Sequence, residues 1–221
     1  MSTGTVNKWH GSQVQILTGF GGSSSAVSIT NISKANPAVV TASSHGLETG
    51  DVAQIVDVVG MLQVNDRAFI VNTLTSNTFE LVDIDSSGYD AYVSGGSLAA
   101  GEFTNFCDLT NYNRQGGTSP EIPSTTICST AQEYVIGLPD FGTTALDFNF
   151  DPLLSPVQVS LHEAYLSGDP LAVRVVLPND RGNMVQVGFV QQESEQAGNG
   201  ALWTASTTLR NTGNRYDYLP A

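Results

Sequence analysis

The runs LAVRVVL at 171–177 and MVQVGFVQQ at 184–192 are separated by Pro178-Asn179-Asp180-Arg181-Gly182. Proline presets φ for a turn, Asn and Asp hydrogen-bond back to their own backbone, and Gly accepts positive φ, so this segment reverses the chain between two strands. A third run, LWTASTTLR at 202–210, follows Gly198-Asn199-Gly200, where Asn-Gly supplies the positive φ angles of a tight hairpin. Three consecutive antiparallel strands commit the C-terminal half to β-sheet.

The stretch 28–97 has the same texture at shorter range. Runs rich in β-formers at 27–32, 38–42, 52–59, 67–73 and 78–83 are punctuated by Asn36-Pro37, His45-Gly46, Thr49-Gly50 and Ser87-Gly88. GFGGSSS at 19–25 precedes it and Gly95-Gly96 closes it, so it reads as a small β-barrel-like domain inserted between glycine hinges. The chain then divides into an N-terminal arm with the first strand of the body (1–27), the insert (28–97), and the rest of the body with a C-terminal arm (98–221).

One helix is expected. Ser155 can cap it, Pro156 fits its first position, and Val157, Leu161, Ala164 and Tyr165 recur at helical spacing before Gly168 ends it. Its apolar stripe needs a sheet to cover, which predicts a mainly β fold: an antiparallel sandwich or barrel with one packed α-helix, plus the inserted domain. Trp203 is expected in the core because its strand alternates.

Charged residues are only 13% of the sequence against 40% apolar, so the exterior must be built largely from Ser, Thr, Asn, Gln and Gly. Burying such groups against a neighbour avoids the cost of desolvating Lys or Glu, which suits repeated self-contacts. The net charge of −13 argues against tight binding to phosphate backbones, yet it suits a wall past which nucleic acid slides. The excess is not confined to the insert, since outside 28–97 acids still outnumber bases 13 to 6. The N-terminal MSTGTVNKWHGS has no signal-like apolar stretch and no 18 apolar residues run together, so the chain is expected to fold in a cytoplasm with Cys107 and Cys128 reduced. Their spacing fits neither a zinc site nor a redox pair, and leaves a disulfide between them open.

No catalytic signature emerges. His10, His45 and His162 lack a second His or Cys at ligand spacing, and the sequence has no nucleophile elbow, HExxH or phosphate loop. Asp83, Asp85, Ser87 and Gly88 imitate the start of a calcium loop, but Ala91 and Ser94 stand where its last ligands belong, so an acidic turn is the better reading. The expectation is a structural protein, not an enzyme, with no cofactor and no metal.

EYVIGLPDFGTTALDFNFD at 133–151 resembles the corresponding segment of tail tube proteins from long, flexible-tailed bacteriophages. The family's further landmarks appear in order: Asn149-Phe150-Asp151-Pro152, the helix to Gly168, then the strands at 173–178 and 185–190, with Cys107-Asp108-Leu109-Thr110 and Glu121-Ile122-Pro123 upstream. The segment from NPAVVTASSHGLETGDVAQI to GYDAYVSGG is similar to another phage element, a small β-domain like the FCCH domain of ubiquitin-activating enzyme, which implies a fold and no ubiquitin chemistry.

The tail tube resemblance implies subunits that form rings, usually of six, whose sheets join around a channel. The rings stack into a tube through which DNA leaves the virion without specific binding. Implied partners are further copies of the chain and the tape measure, tail terminator and tip proteins, in a virion tail assembled in the host cytoplasm. On this reading the strands at 171–177, 184–192 and 202–210 carry bare edges for a neighbour. The arm 1–27, the loop 111–125 and the tail 211–221 would stack rings, with Asn111, Arg114, Pro120, Glu121, Arg215 and Tyr216 as contacts, and Glu193 and Glu195 would line the channel. The competing expectation is a glycan- or small-molecule-binding β-protein with Trp9, Trp203 and tyrosines along a groove.

Overall fold

The computed structural model describes residues 11–21, 27–151, 153 and 155–219. A first strand, β1 (Gln13–Phe20), leads into six further strands: β2 (Val27–Ile32), β3 (Ala38–Ala42), β4 (Val52–Val59), β5 (Arg67–Thr75), β6 (Thr78–Leu81) and β7 (Ser94–Asn105). The body follows with β8 (Leu109–Gln115), β9 (Glu121–Pro123), β10 (Tyr134–Ile136), β11 (Thr143–Asn149), α1 (Pro156–Ser167), β12 (Pro170–Val176), β13 (Asn183–Gln196) and β14 (Thr204–Tyr218).

Strands β2-β3-β6-β5-β4-β7 close into a six-stranded barrel through the pairing of β2 with β7. The sheet continues from β7 as β1-β12-β13-β14-β11-β8, with every neighbour antiparallel. One strand therefore serves both parts. Leu98 and Ala100 in β7 pair with Ile55 and Ala53 of the barrel, and Phe103 and Asn105 pair with Leu17 and Gln15 of the body.

Each part has its own core. The barrel packs Val40, Ile55, Met61, Val71, Phe79 and Leu81, all fully buried. His45 lies among them and packs edge-on to Phe79. Its Nδ1 accepts the Leu47 N–H at 3.1 Å, so Nε2 carries the proton and donates to the Thr75 carbonyl at 2.9 Å. The acidic turn is also structural: the Ser86 hydroxyl accepts the Ala35 N–H at 3.0 Å and donates to the Ser33 carbonyl at 2.7 Å, while Asp85 accepts from the Ser87 N–H and hydroxyl.

In the body, α1 packs across β1, β12 and β13, pressing Val157, Leu161 and Ala164 onto Ile16, Val173 and Val190. Burying a Leu or Ile there contributes about 1.5–3 kcal/mol. Ser155 stands at the N-cap with extended backbone but makes no side-chain cap, and Gly168 ends the helix at φ 74° with its N–H on the Ala164 carbonyl. The buried Gln158 replaces the missing cap by bracing the strand before the helix: it accepts the Asp151 N–H at 2.8 Å and donates to the Asn149 carbonyl at 2.9 Å. Tyr165, expected on the buried stripe, is 44% exposed, because the helix covers the sheet with only three apolar side chains.

Three expectations need correction. Strands β12, β13 and β14 are mostly covered, because β1 and β11 supply outer neighbours; among the described residues the outer edge of β8 and that of β14 beyond Asn211 are bare. The N-terminal strand β1 is part of the body sheet, where Val14, Ile16 and Leu17 are buried between β7 and β12. Gly95-Gly96 is not a hinge but lies inside β7, where a Cβ on Gly96 would meet Val58 at 2.9 Å. Trp203 is 52% exposed, its ring against Phe150 with centroids 4.7 Å apart, because the core side of β14 starts at Ala205.

Candidate functional site

On the sheet face away from α1, register aligns uncharged polar side chains in rows. Asn113, Ala145, Thr208 and Gln192 stand abreast across β8, β11, β14 and β13, followed by Asn111, Asp147, Ser206 and Ser194. Asp147 is the acid of these rows. It accepts from Ser206 at 2.6 Å and Asn111 at 2.9 Å, and those hydrogen bonds hold its carboxyl below the usual range. In the row at the other end Arg210 is neutralised by Asp140 at 2.6 Å. The result is a smooth face with little free charge.

Between β8 and β11 the chain leaves the body as an arm, residues 116–142, built on the two-stranded β9–β10 sheet. From Gln115 to Ile136 every residue but Ser129 is exposed, including Ile122, Ile127, Val135 and Ile136, and Leu138 beyond them is 89% exposed. An isolated hairpin is marginal in water, and this one displays apolar side chains that are half or more exposed. Its base is tightly drawn: a Cβ on Gly142, at φ 77°, would lie 2.1 Å from the Gln115 carbonyl, and one on Gly117 would strike the Asp140 carbonyl.

On the opposite face, a groove of about 490 Å³ runs between α1 and the β13–β14 hairpin. Phe148, Val159 and Leu166 line it, with Glu163, Glu193 and Glu195 at its edge, and His162 Nδ1 sits 3.0 Å from Glu193 Oε2. The body core also holds a polar chain, in which Arg114 Nε donates to Gln186 Oε1 at 2.7 Å, Gln186 donates to Thr144, and Thr144 donates to Asn211 Oδ1 at 3.0 Å.

The barrel is docked, not tethered. Arg174 in β12 donates from Nε to Gln15 at 2.7 Å and from Nη1 to Asp51 in the barrel at 3.2 Å, with its guanidinium 4.0 Å from the Phe103 ring centroid. The C-terminal half of β14 lies along the barrel, where Tyr218 covers Gly50, Tyr216 stacks on Tyr218, and Asn214 reaches Asp83. Burial raises the Tyr218 hydroxyl above its ordinary value, partly offset by Arg174 beside it. Residues 35–100 match the family model described as the ubiquitin-activating enzyme E1 FCCH domain. The barrel is FCCH-like. The match ends at Ala100, the last β7 residue paired with β4, so the FCCH-like unit takes the barrel half of the shared strand and leaves the body half. No curated protein matches the chain.

The candidate residues named from sequence scatter over these features. Glu193 and Glu195 sit in the groove on the helix side, not on the face of the polar rows. Asn111 belongs to the polar rows, Arg114 to the buried polar chain, and Pro120 and Glu121 to the arm. Arg215 and Tyr216 lie in β14, and Arg215 pairs with Asp217 at 2.6 Å, so 211–218 is a strand on the barrel and not a loose tail. Cys107 and Cys128 are separate, exposed thiols. Trp9 and His10 lie outside the described residues. Sequence reading missed Arg174, whose one signal was a charge in the middle of an otherwise apolar strand.

Proposed function

We propose that the chain is a structural subunit of a phage tail tube, self-assembling into stacked, hexameric rings around a channel for DNA. The β9–β10 arm carries the reading: apolar side chains held out on a rigid base have no use on a lone subunit and fit a contact with a neighbouring ring. Two further features support it. The bare edge of β8 and the outer edge of β14 beyond Asn211 offer backbone groups that pairing between copies would satisfy. The rows across β8, β11, β14 and β13, with Asp147 as their acid and Arg210 paired to Asp140, make a wall without basic side chains free to hold passing phosphates. On this arrangement the wall is formed by those rows, and Glu193 and Glu195 face away from it.

The test is the state of the full chain at rising concentration. Sedimentation velocity and negative-stain electron microscopy should find rings or tubes. A species that stays monomeric throughout would overturn the reading.

A further inference from the structure

The groove beside α1 asks for an occupant with an apolar side chain and a positive charge. Its floor holds Phe148, Val159 and Leu166, the last 70% exposed, while three carboxylates stand at its edge and, among the described residues, only Glu193 has a partner there, His162. The chain itself contains a segment of that chemistry. The first acid in the sequence is Glu48, and within the acid-free stretch Lys8-Trp9-His10 sets bases beside a large aromatic ring. In a chain of net charge −13, this is where attraction to an acidic groove can arise.

The segment cannot reach the groove of its own subunit. Gly11 lies against Pro178, at the end of the body where Gln13 pairs with Val176 and Val176 with Asn183. Glu193 is ten residues farther along β13, roughly 30 Å at strand rise. Three residues from Gly11 back to Lys8 span at most about 11 Å. Gly11 and the groove therefore sit at opposite ends of the subunit, the arrangement of a head-to-tail contact that repeats from copy to copy.

We propose that Lys8 and Trp9 of one copy seat in the groove of the next, the indole on Phe148, Val159 and Leu166 and the ammonium between Glu193 and Glu195. This inference rests on the self-assembly reading and names one of its contacts. It gives Glu193 and Glu195 a role in holding copies together, not in facing DNA.

Charge exchange in the full chain tests it. Lys8→Glu alone, and Glu193→Lys with Glu195→Lys, should each raise the concentration for half-assembly about tenfold or more, as for loss of close ion pairs at an interface. All three together should recover most of that loss. Circular dichroism should show each variant folded, since Glu195 is exposed and Glu193 partly so. If Lys8→Glu assembles like the parent, or the combined variant recovers nothing, the inference is overturned and the self-assembly reading stands. If the parent never assembles, that reading falls, and a synthetic peptide of residues 1–12 decides the inference on the monomer. Saturable binding that disappears in the Glu193→Lys, Glu195→Lys chain supports it, and no binding overturns it.

Discussion

The ring of Tyr218 lies on the backbone of Gly50 so closely that a Cβ there would stand 1.9 Å from its Cζ. Gly50 also has φ 91°, a conformation that costs a residue with a side chain on the order of 1–3 kcal/mol. Gly50→Ala should therefore destabilise the protein by roughly 2–4 kcal/mol. In combination with Tyr218→Ala it should cost clearly less than the sum of the two changes. Urea denaturation of the four chains measures the coupling, and simple additivity would count against this contact as the clasp between C-terminal strand and barrel.

Arg174→Met keeps the apolar stem and removes the hydrogen bonds to Gln15 and Asp51 and the cation over Phe103. The expected loss is about 2–3 kcal/mol, concentrated at the junction. Calorimetry should then resolve separate barrel and body transitions. A single transition shifted as a whole would mean that the shared strand alone couples the two parts.

Ile127→Ser with Ile136→Ser should leave monomer stability within about 0.5 kcal/mol, since both side chains are exposed and lose no packing in the subunit. The same change should abolish assembly. Thermal melts and electron microscopy on one preparation read both quantities, and tubes of normal yield would remove the arm from the contact between rings.

Gln158→Leu leaves the Asp151 N–H and the Asn149 carbonyl without their partner at the entry to α1. The cost should be roughly 1–3 kcal/mol, more than Ser155→Ala, whose hydroxyl caps nothing. The reverse order in a denaturant series would show that the helix start is held elsewhere.

Asp147 has a depressed carboxyl pKa in the folded chain, from the Ser206 and Asn111 hydrogen bonds. A depressed folded value gives stability that is present above the unfolded pKa, about 3.9 for Asp, and is lost as pH falls through the folded value. Asp147→Asn should thus be less stable than the parent near pH 5, with the gap closing as the solution is acidified below pH 4. A gap that stays constant down to the acid limit would mean the carboxylate form is not the one favoured.

Strand positions were legible where turn chemistry bounded them: the expected runs at 27–32, 38–42 and 52–59 coincide with β2, β3 and β4. The helix was legible from Pro156 and Gly168 because both act locally. Pairing was not, since alternation says which side chains share a face but not which strand lies alongside; hence the edges assigned to β12–β14, which β1 and β11 mostly cover. The glycine pair at 95–96 was misread for a related reason. A glycine needed for close approach of Val58 looks, in sequence, the same as one needed for flexibility. Glu193 and Glu195 were visible as acids at a strand end, but their side of the sheet depended on the register shift between Val190 and Gln192.

β7 carries one unbroken backbone from Ser94 in the barrel wall to Asn105 beside β1. Cutting the chain at its glycines to remove the barrel would take away residues that Leu17 and Phe20 need as partners, so a clean excision has to keep 101–105 and splice β1 to them. The same continuity means that a pull on the barrel loads the body lengthwise along a strand held by hydrogen bonds on both flanks, a joint that resists shear and leaves little slack for swivelling.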